Sequence, residues 1–239
     1  MGTATVSADS LIESVEDCCN LIDTSLSKSA FDCSELGNAT VHITVEDVYG
    51  NKTTEQAIIT VADTASPSLI TKNVIIYMDD SGNASLNADE VVESAFDNCS
   101  LLDTLISADT FACADLGTAT IHVTVKDHVD STTTKMAQVT IEDTIPPVAL
   151  CSDTTVYLNN NGKAAINHTF IDRGSYDNCS MDTLYLSNNV FNSSHLGQNE
   201  IGFYALDRSG NMDSCFAKVA VVDTTTPTLI IQNATVQLD

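Results

Sequence analysis

The sequence predicts an all-β protein built as a tandem array of small β-sandwiches. An Asp-Thr pair followed by proline recurs at a constant interval, beginning at Asp63, Asp143 and Asp223. Each copy ends an alternating run rich in β-branched residues, because proline fixes φ and cannot donate to a β-ladder. About seven short strand patterns fit into one period, which is typical of tandem immunoglobulin-like β-sandwiches.

The second repeat shows the expected elements in order. Alternating apolar residues at Val74, Ile76 and Met78 predict its first strand. Residues 88–96 fit either a helical turn or a strand, and their β neighbourhood favours a strand. The remaining patterns predict turns at 79–83 and 97–100, and strands over 84–86, 101–106, 120–125 and 136–141.

The period divides the chain into four segments. Residues 1–63 are expected to form a repeat without its first strand, and 64–143 and 144–223 to form complete repeats. Residues 224–239 would supply the first strand of a following repeat. The sequence therefore resembles a window on a longer chain. Its first repeat begins at Gly2, at the position that Gly82 has in the second repeat.

The charge balance excludes some classes of partner. The net charge is −24, from 33 acidic and 9 basic residues, so phosphate-rich nucleic acid would be repelled. Hydrophobic residues make up 43% of the chain, which favours a folded domain over a disordered acidic tail. No apolar run approaches the ~18 residues of a membrane helix, so we expect no membrane span in this segment.

The cysteine pattern predicts disulfide bonds and an oxidising, extracellular location. Two pairs have the same spacing and stand at equivalent positions of the first two repeats, and a third pair is present only in the third repeat. The predicted bonds are Cys19 to Cys33, Cys99 to Cys113, and Cys151 to Cys215. The spacing leaves the pairing of Cys18 and Cys179 open, and no CxxC motif indicates zinc.

Several motifs together resemble a hyalin-type repeat. They are Asp97-Asn98-Cys99, Phe111, Gly117, the Thr-Val run, the closing Asp-Thr-x-x-Pro, and the Asp-x-x-Gly-Asn hairpins at 47–51 and 207–211. The second repeat departs from this hairpin, with Asp130-Ser131 in place of Gly-Asn. The resemblance covers nearly the whole chain. It implies an immunoglobulin-like extracellular module, as in giant bacterial surface adhesins, and it implies no catalysis.

Recurring acidic residues are the candidate metal ligands. They are Asp47, Asp63, Asp127, Asp143, Asp207 and Asp223. Calcium prefers about six to eight oxygen ligands, often from loop carboxylates, so we predict an ion shared by the Asp127 hairpin and the Asp143 junction. Aspartate is also a common turn former, so a purely structural role is the alternative, and no other cofactor is required. Asp17, Asp97 and Asp177 precede the cysteine turns.

The motifs of the sequence favour a structural function over an enzymatic one. No catalytic motif occurs, and His42 and His122 lie on the polar face of one strand without a nucleophile nearby. We predict a stalk segment of a large secreted or cell-surface adhesin, acting as a semi-rigid rod in cell attachment. The alternatives are a ligand-binding or glycan-binding module and an accessory domain of an enzyme. Tyr49, Tyr176 and Tyr185, which could form a glycan site, are scattered over different repeats.

The expected partners are neighbouring repeats of the same chain, and the cell-surface ligand is left open. Without a first strand, the first repeat should present an unpaired sheet edge. Residues 228–238 form an apolar strand pattern, with Ala234, Val236 and Leu238 alternating like the first strand of the third repeat. Because an extended segment can complete a sheet, this tail predicts a homo-oligomer formed by strand exchange.

Overall fold

A computed structural model describes residues 2–18 and 20–237 of the 239-residue chain. The strands of the first repeat are β1 (Thr3–Thr5), β2 (Leu21–Leu26), β3 (Ala30–Asp32), β4 (Gly37–Asp47) and β5 (Lys52–Val61). The strands of the second repeat are β6 (Ser68–Thr71), β7 (Val74–Tyr77), β8 (Asn83–Ser85), β9 (Val92–Phe96), β10 (Leu101–Ile106), β11 (Thr110–Ala112), β12 (Gly117–Asp127) and β13 (Thr132–Glu142). The strands of the third repeat are β14 (Thr154–Tyr157), β15 (Lys163–Ala165), β16 (Met181–Leu186), β17 (Val190–Asn192), β18 (Gly197–Asp207) and β19 (Met212–Val222).

Among the described residues, helical structure is confined to short segments. The helix α1 covers Ala88–Val91, and 3-10 turns lie at Ala8–Ser10, Cys33–Glu35, Cys113–Asp115, His168–Phe170 and Ser193–His195. The prediction of a strand throughout 88–96 is therefore wrong for its first half. The carboxylate of Glu90 accepts a hydrogen bond from the Asn87 N–H at 2.7 Å, which satisfies a helix N-terminus before β9 begins.

The chain divides into two compact units that do not coincide with the sequence repeats. One unit contains the residues up to 74, 86–109 and 119–139, and the other contains 75–85, 110–118 and the residues from 140 onward. Among the described residues, no helix is long and apolar enough to cross a membrane.

In the first unit, the first repeat forms a three-stranded sheet in the order β2-β4-β5. Val41 and Ile43 of β4 are buried, whereas His42 between them is exposed, as the alternation predicted. Smaller ladders join β1 to β3 and β6 to β9. β10 pairs with the C-terminal half of β12, with Leu101 opposite Asp127 and Ile106 opposite Val123.

In the second unit, the third repeat forms a four-stranded sheet in the order β14-β19-β18-β16. β14 is parallel to β19, whereas the other neighbours in this sheet are antiparallel. Small ladders join β15 to β17 and β8 to β11. The core contains Val156, Leu158, Ile166, Ile171, Phe191, Ile201, Phe203, Val219 and Val221. The fold is thus all-β, with tandem immunoglobulin-like sandwiches, as the sequence predicts.

The segment after β19 does not form the predicted strand within the described residues. Residues 224–237 have no regular structure, and Leu229, Ile230 and Val236 are 85%, 90% and 82% exposed. A strand requires a neighbouring ladder for its N–H and C=O groups, and none lies beside this segment in the described part of the chain. Leu238, the last residue of the predicted pattern, lies outside the described residues.

Candidate metal centres at the repeat junctions

Two disulfide bonds join consecutive repeats. Cys33 is bonded to Cys99 and Cys113 to Cys179, with Cα atoms 5.2 and 5.3 Å apart and a sequence separation of 66 in both cases. The two bonds occupy equivalent positions one period apart. The predicted bonds from Cys19 to Cys33 and from Cys99 to Cys113 are therefore wrong, and Cys19 itself lies outside the described residues.

The third repeat shows why the two turn cysteines of a single repeat do not meet. Met181, two residues after Cys179, pairs with Asp207 at the end of β18. Ser193, the counterpart of Cys113, precedes Gly197 at the beginning of the same 11-residue strand. The two cysteine positions thus lie at opposite ends of a repeat, and each is placed to reach a neighbouring repeat. The structure also contains the bond from Cys151 to Cys215, as predicted, within the third repeat.

The Asp-Asn-Cys turn of one repeat touches the hairpin of the preceding repeat. The Asn178 side-chain N–H donates to the Asp79 carbonyl oxygen at 3.2 Å. Gly82 has φ +72°, and a Cβ there would lie 2.6 Å from Cys113 Sγ and 2.7 Å from the Asn178 carbonyl oxygen. The other junction repeats the contact, with the Gly2 N–H donating to the Asn98 carbonyl oxygen at 2.7 Å. Only glycine allows the two repeats to approach so closely.

Two clusters of three carboxylates lie beside these turns. In each, one oxygen from every member lies within 4.8 Å of the others, and the members are Asp63, Asp97 and Asp127 in one unit and Asp143, Asp177 and Asp207 in the other. The first member of each cluster belongs to the linker before a repeat, the second to the Asp-Asn-Cys turn, and the third to the end of β12 or β18. Each cluster therefore gathers three separate segments.

Backbone N–H groups fix one oxygen of each carboxylate in the first cluster. Asp97 Oδ1 accepts from the Cys99 N–H at 2.8 Å, and Asp63 Oδ1 accepts from the Ala65 N–H at 3.1 Å. Asp127 Oδ1 accepts from the Ser131 N–H at 2.8 Å. These bonds belong to tight turns and leave the second oxygen of each carboxylate available.

The second cluster is held in a similar way. Asp177 Oδ2 accepts from the Cys179 N–H at 2.9 Å, and Asp143 Oδ1 accepts from the Ile145 N–H at 3.1 Å. Asp207 differs from Asp127, because both of its oxygens accept hydrogen bonds from Asn211, at 2.7 and 2.8 Å. The side chain at the corresponding position of the first cluster is Ser131, which has no amide to donate.

Several oxygens of these clusters are buried without a hydrogen-bond partner in the protein. They are Asp97 Oδ2, Asn98 Oδ1 and Asp127 Oδ2 in one unit, and Asp143 Oδ2, Asp177 Oδ1 and Asn178 Oδ1 in the other. Buried polar atoms are normally paired, and an isolated buried charge is costly. Both sets therefore have the chemistry of a cation site, with three clustered carboxylates and, next in sequence to one of them, a buried amide oxygen without a partner.

The predicted ligands are only partly brought together. Asp63, Asp127, Asp143 and Asp207 belong to the clusters. Asp127 and Asp143 fall in different clusters, so the prediction that they share an ion is wrong. The structure brings neither Asp47 nor Asp223 into a cluster of described residues.

Asp47 and Asp223 form closed local turns instead. Asn51 donates to the Asp47 carboxylate from its side chain at 2.7 Å and its backbone at 2.9 Å, which lowers the pKa of Asp47. Thr225 donates to Asp223 from its hydroxyl and its backbone N–H, and these bonds lower the pKa of Asp223. In the described structure, both carboxylates thus accept hydrogen bonds within their own turns.

The ligand set predicted from the sequence lacks two cluster residues, Asp97 and Asp177, and the asparagine that follows each of them. From the sequence, Asp97 and Asp177 are identified only as residues before a cysteine turn, and Asn98 and Asn178 are not included as ligands. The signal that could have found them is the Asp-Asn-Cys triplet, which recurs unchanged at 97–99 and 177–179. A turn alone would not require both the acid and the amide.

Comparisons with known proteins find distant structural likenesses. No protein-family model and no curated protein matches the chain. Cadherin domains 1–4 of protocadherin gamma B7 are 12% identical with a TM-score of 0.34, covering 80% of this chain and 59% of that one. Cadherin domains 1–5 of protocadherin gamma B2 are 12% identical with a TM-score of 0.35, covering 83% and 49%. Domains 1–2 of human mucin-like protocadherin are 9% identical with a TM-score of 0.38, covering 66% and 98%. The chain thus spans about half of the first two, and likenesses this weak carry no functional argument.

Proposed function

We propose that the chain is a stalk segment of a large extracellular adhesin, secreted or held at a cell surface, built from hyalin-type repeats. The observation that carries the proposal is the pair of equivalent disulfides, Cys33 to Cys99 and Cys113 to Cys179, which bond each repeat to the next. Disulfides persist in oxidising compartments outside the cytosol. A covalent bond across each junction limits bending, so stacked repeats would act as a semi-rigid rod without enzymatic activity.

The charge supports the same role. A net charge of −24 favours solubility and keeps neighbouring stalks apart. It also favours cations, and we propose calcium as the cofactor because its preference for oxygen ligands matches acidic residues at the junctions. The ion would add a second restraint beside each disulfide.

The proposal is tested by disulfide mapping and small-angle scattering of the oxidised chain. We expect non-reduced peptides that link Cys33 to Cys99 and Cys113 to Cys179. The 11-residue strands correspond to about 37 Å per repeat, so three repeats should give a maximum dimension of roughly 100 Å or more. Loss of both junction disulfides should broaden the distribution of interatomic distances obtained from the scattering. Loss of the bond from Cys151 to Cys215 should not. A compact particle, or no change without the junction disulfides, would contradict the stalk.

A further inference from the structure

We infer that the chain binds two calcium ions through defined ligand sets. One set is Asp63, Asp97, Asn98 and Asp127, and the other is Asp143, Asp177, Asn178 and Asp207. The inference deepens the proposed function by naming the ligands of the junction ion, and it rests on that function only for the role that the ion would have.

Both clusters contain buried carboxylate oxygens without a hydrogen-bond partner. Asp97, Asp127 and Asp143 are 7%, 0% and 6% exposed, and each keeps one carboxylate oxygen without a partner. Turn hydrogen bonds orient these carboxylates, so the free oxygens are held in place before any ligand arrives. A cluster that formed only to close turns would leave its spare oxygens in water.

Each cluster also concentrates negative charge. Three carboxylates with oxygens within 4.8 Å of one another repel strongly when buried. The ion pairs of the described residues lie elsewhere, namely Lys28 with Glu35, Lys52 with Glu46, and Lys126 with Asp130. No described Lys, Arg or His forms an ion pair with a cluster carboxylate, so a bound cation would supply the positive charge that the side chains do not.

The ligand atoms select the type of cation. Each set offers carboxylate and amide oxygens and no nitrogen or thiolate ligand, because the nearby cysteine is in a disulfide. Calcium accepts about six to eight oxygens in irregular arrangements, whereas magnesium requires a near-octahedral site and retains several waters. A linker, a turn and a strand end supply the ligands, and such an irregular combination favours calcium.

The binding test is calorimetric titration of the oxidised full chain with calcium chloride in calcium-free buffer. We expect two binding equivalents, with Asp97→Asn and Asp177→Asn each weakening one of them at least tenfold and the double variant lacking both. Asp47→Asn is the matched control, since Asp47 is the first-repeat counterpart of Asp127, and it should retain both equivalents. Magnesium chloride should bind more weakly than calcium.

A second measurement does not depend on how the variants fold. Calcium should raise the unfolding midpoint of the unmodified chain in a concentration-dependent way, and a chelator should reverse the rise. Absence of binding heat together with an unchanged midpoint would overturn the inference, as would tighter magnesium binding or two full sites in the double variant. Failure of the stalk proposal is read separately, from disulfide connectivity and particle length.

Discussion

Each residue of the Asp-Asn-Cys turn has a separate role at its junction. In the first unit, Asp97 uses one oxygen for the Cys99 N–H and keeps the other unpartnered. Asn98 accepts from Gly2 through its backbone carbonyl, donates to Asp63 through its amide N–H at 3.1 Å, and keeps its amide oxygen unpartnered. Cys99 bonds the preceding repeat covalently. Three consecutive residues therefore serve the disulfide, the linker and the candidate ion.

At this scale, Gly82→Ala should destabilise the protein much more than Gly162→Ala. The two glycines occupy the same hairpin position with φ +72° and +68°, so both variants carry a left-handed alanine, at a cost of roughly 1 kcal/mol. Only at Gly82 would the new methyl group meet Cys113 and Asn178, which adds roughly 1–3 kcal/mol of overpacking. Thermal unfolding of both variants measures the difference, and equal midpoints would show that the junction contact does not form.

At the scale of elements, alternation was sufficient for the long strands but not for the contacts between repeats. The strands β12 and β13 are predicted because their side chains alternate between buried and exposed faces. The partner of Cys99 was not predictable from spacing, since it depends on which end of a repeat each turn occupies. Helix α1 was missed because the local capping interaction of Asn87 and Glu90 outweighs the β tendency of its neighbours.

The disulfide and the candidate ion should be thermodynamically coupled, because one turn holds both. We expect Cys33→Ser with Cys99→Ser to weaken the calcium site of the first unit about tenfold, within the usual range of coupling energies, and to leave the second site unchanged. By reciprocity, calcium should make the bond from Cys33 to Cys99 harder to reduce. Calcium titrations with and without reductant measure the change in affinity. Reduction of the bond from Cys33 to Cys99 with and without calcium measures the reciprocal effect.

The matched control is Cys151→Ser with Cys215→Ser, which removes a disulfide that is attached to neither Asp-Asn-Cys turn. Its two calcium affinities should equal those of the unmodified chain. Equal first-site affinities in the junction variant and the control would refute the coupling.

At the scale of the whole molecule, the first and third repeats differ at one sheet edge. In the third repeat, β14 lies parallel to β19, with Thr154 opposite Val219. In the first repeat, β5 is the edge of its sheet, and no strand of the described residues covers that side. Residues 234–237 follow Asp223 at the same spacing with which β14 follows Asp143, so they are the sequence counterpart of the missing strand.

We therefore predict that residues 234–237 of one copy can pair in parallel with residues 59–62 of another. Such a head-to-tail contact does not close, so association should increase with concentration. Deletion of residues 228–239 should keep the chain monomeric in analytical ultracentrifugation. Val236→Asp should do the same, because its counterpart Val156 is buried, whereas Gln237→Asp should not, because Tyr157 is exposed. A full chain that stays monomeric at high concentration would refute strand exchange.

The junction disulfides have a further consequence for a chain under tension. Cys33 and Cys179 lie almost two repeats apart in the sequence, but the covalent path between them crosses two disulfides and only the short segment from Cys99 to Cys113. A pulling force that tore the sandwiches open could extend this path to a total of about 50 Å, against about 500 Å for the same chain without bridges. Most residues of each repeat lie outside this path and would bear no force. A stretched array would therefore lengthen in short steps and could refold between them.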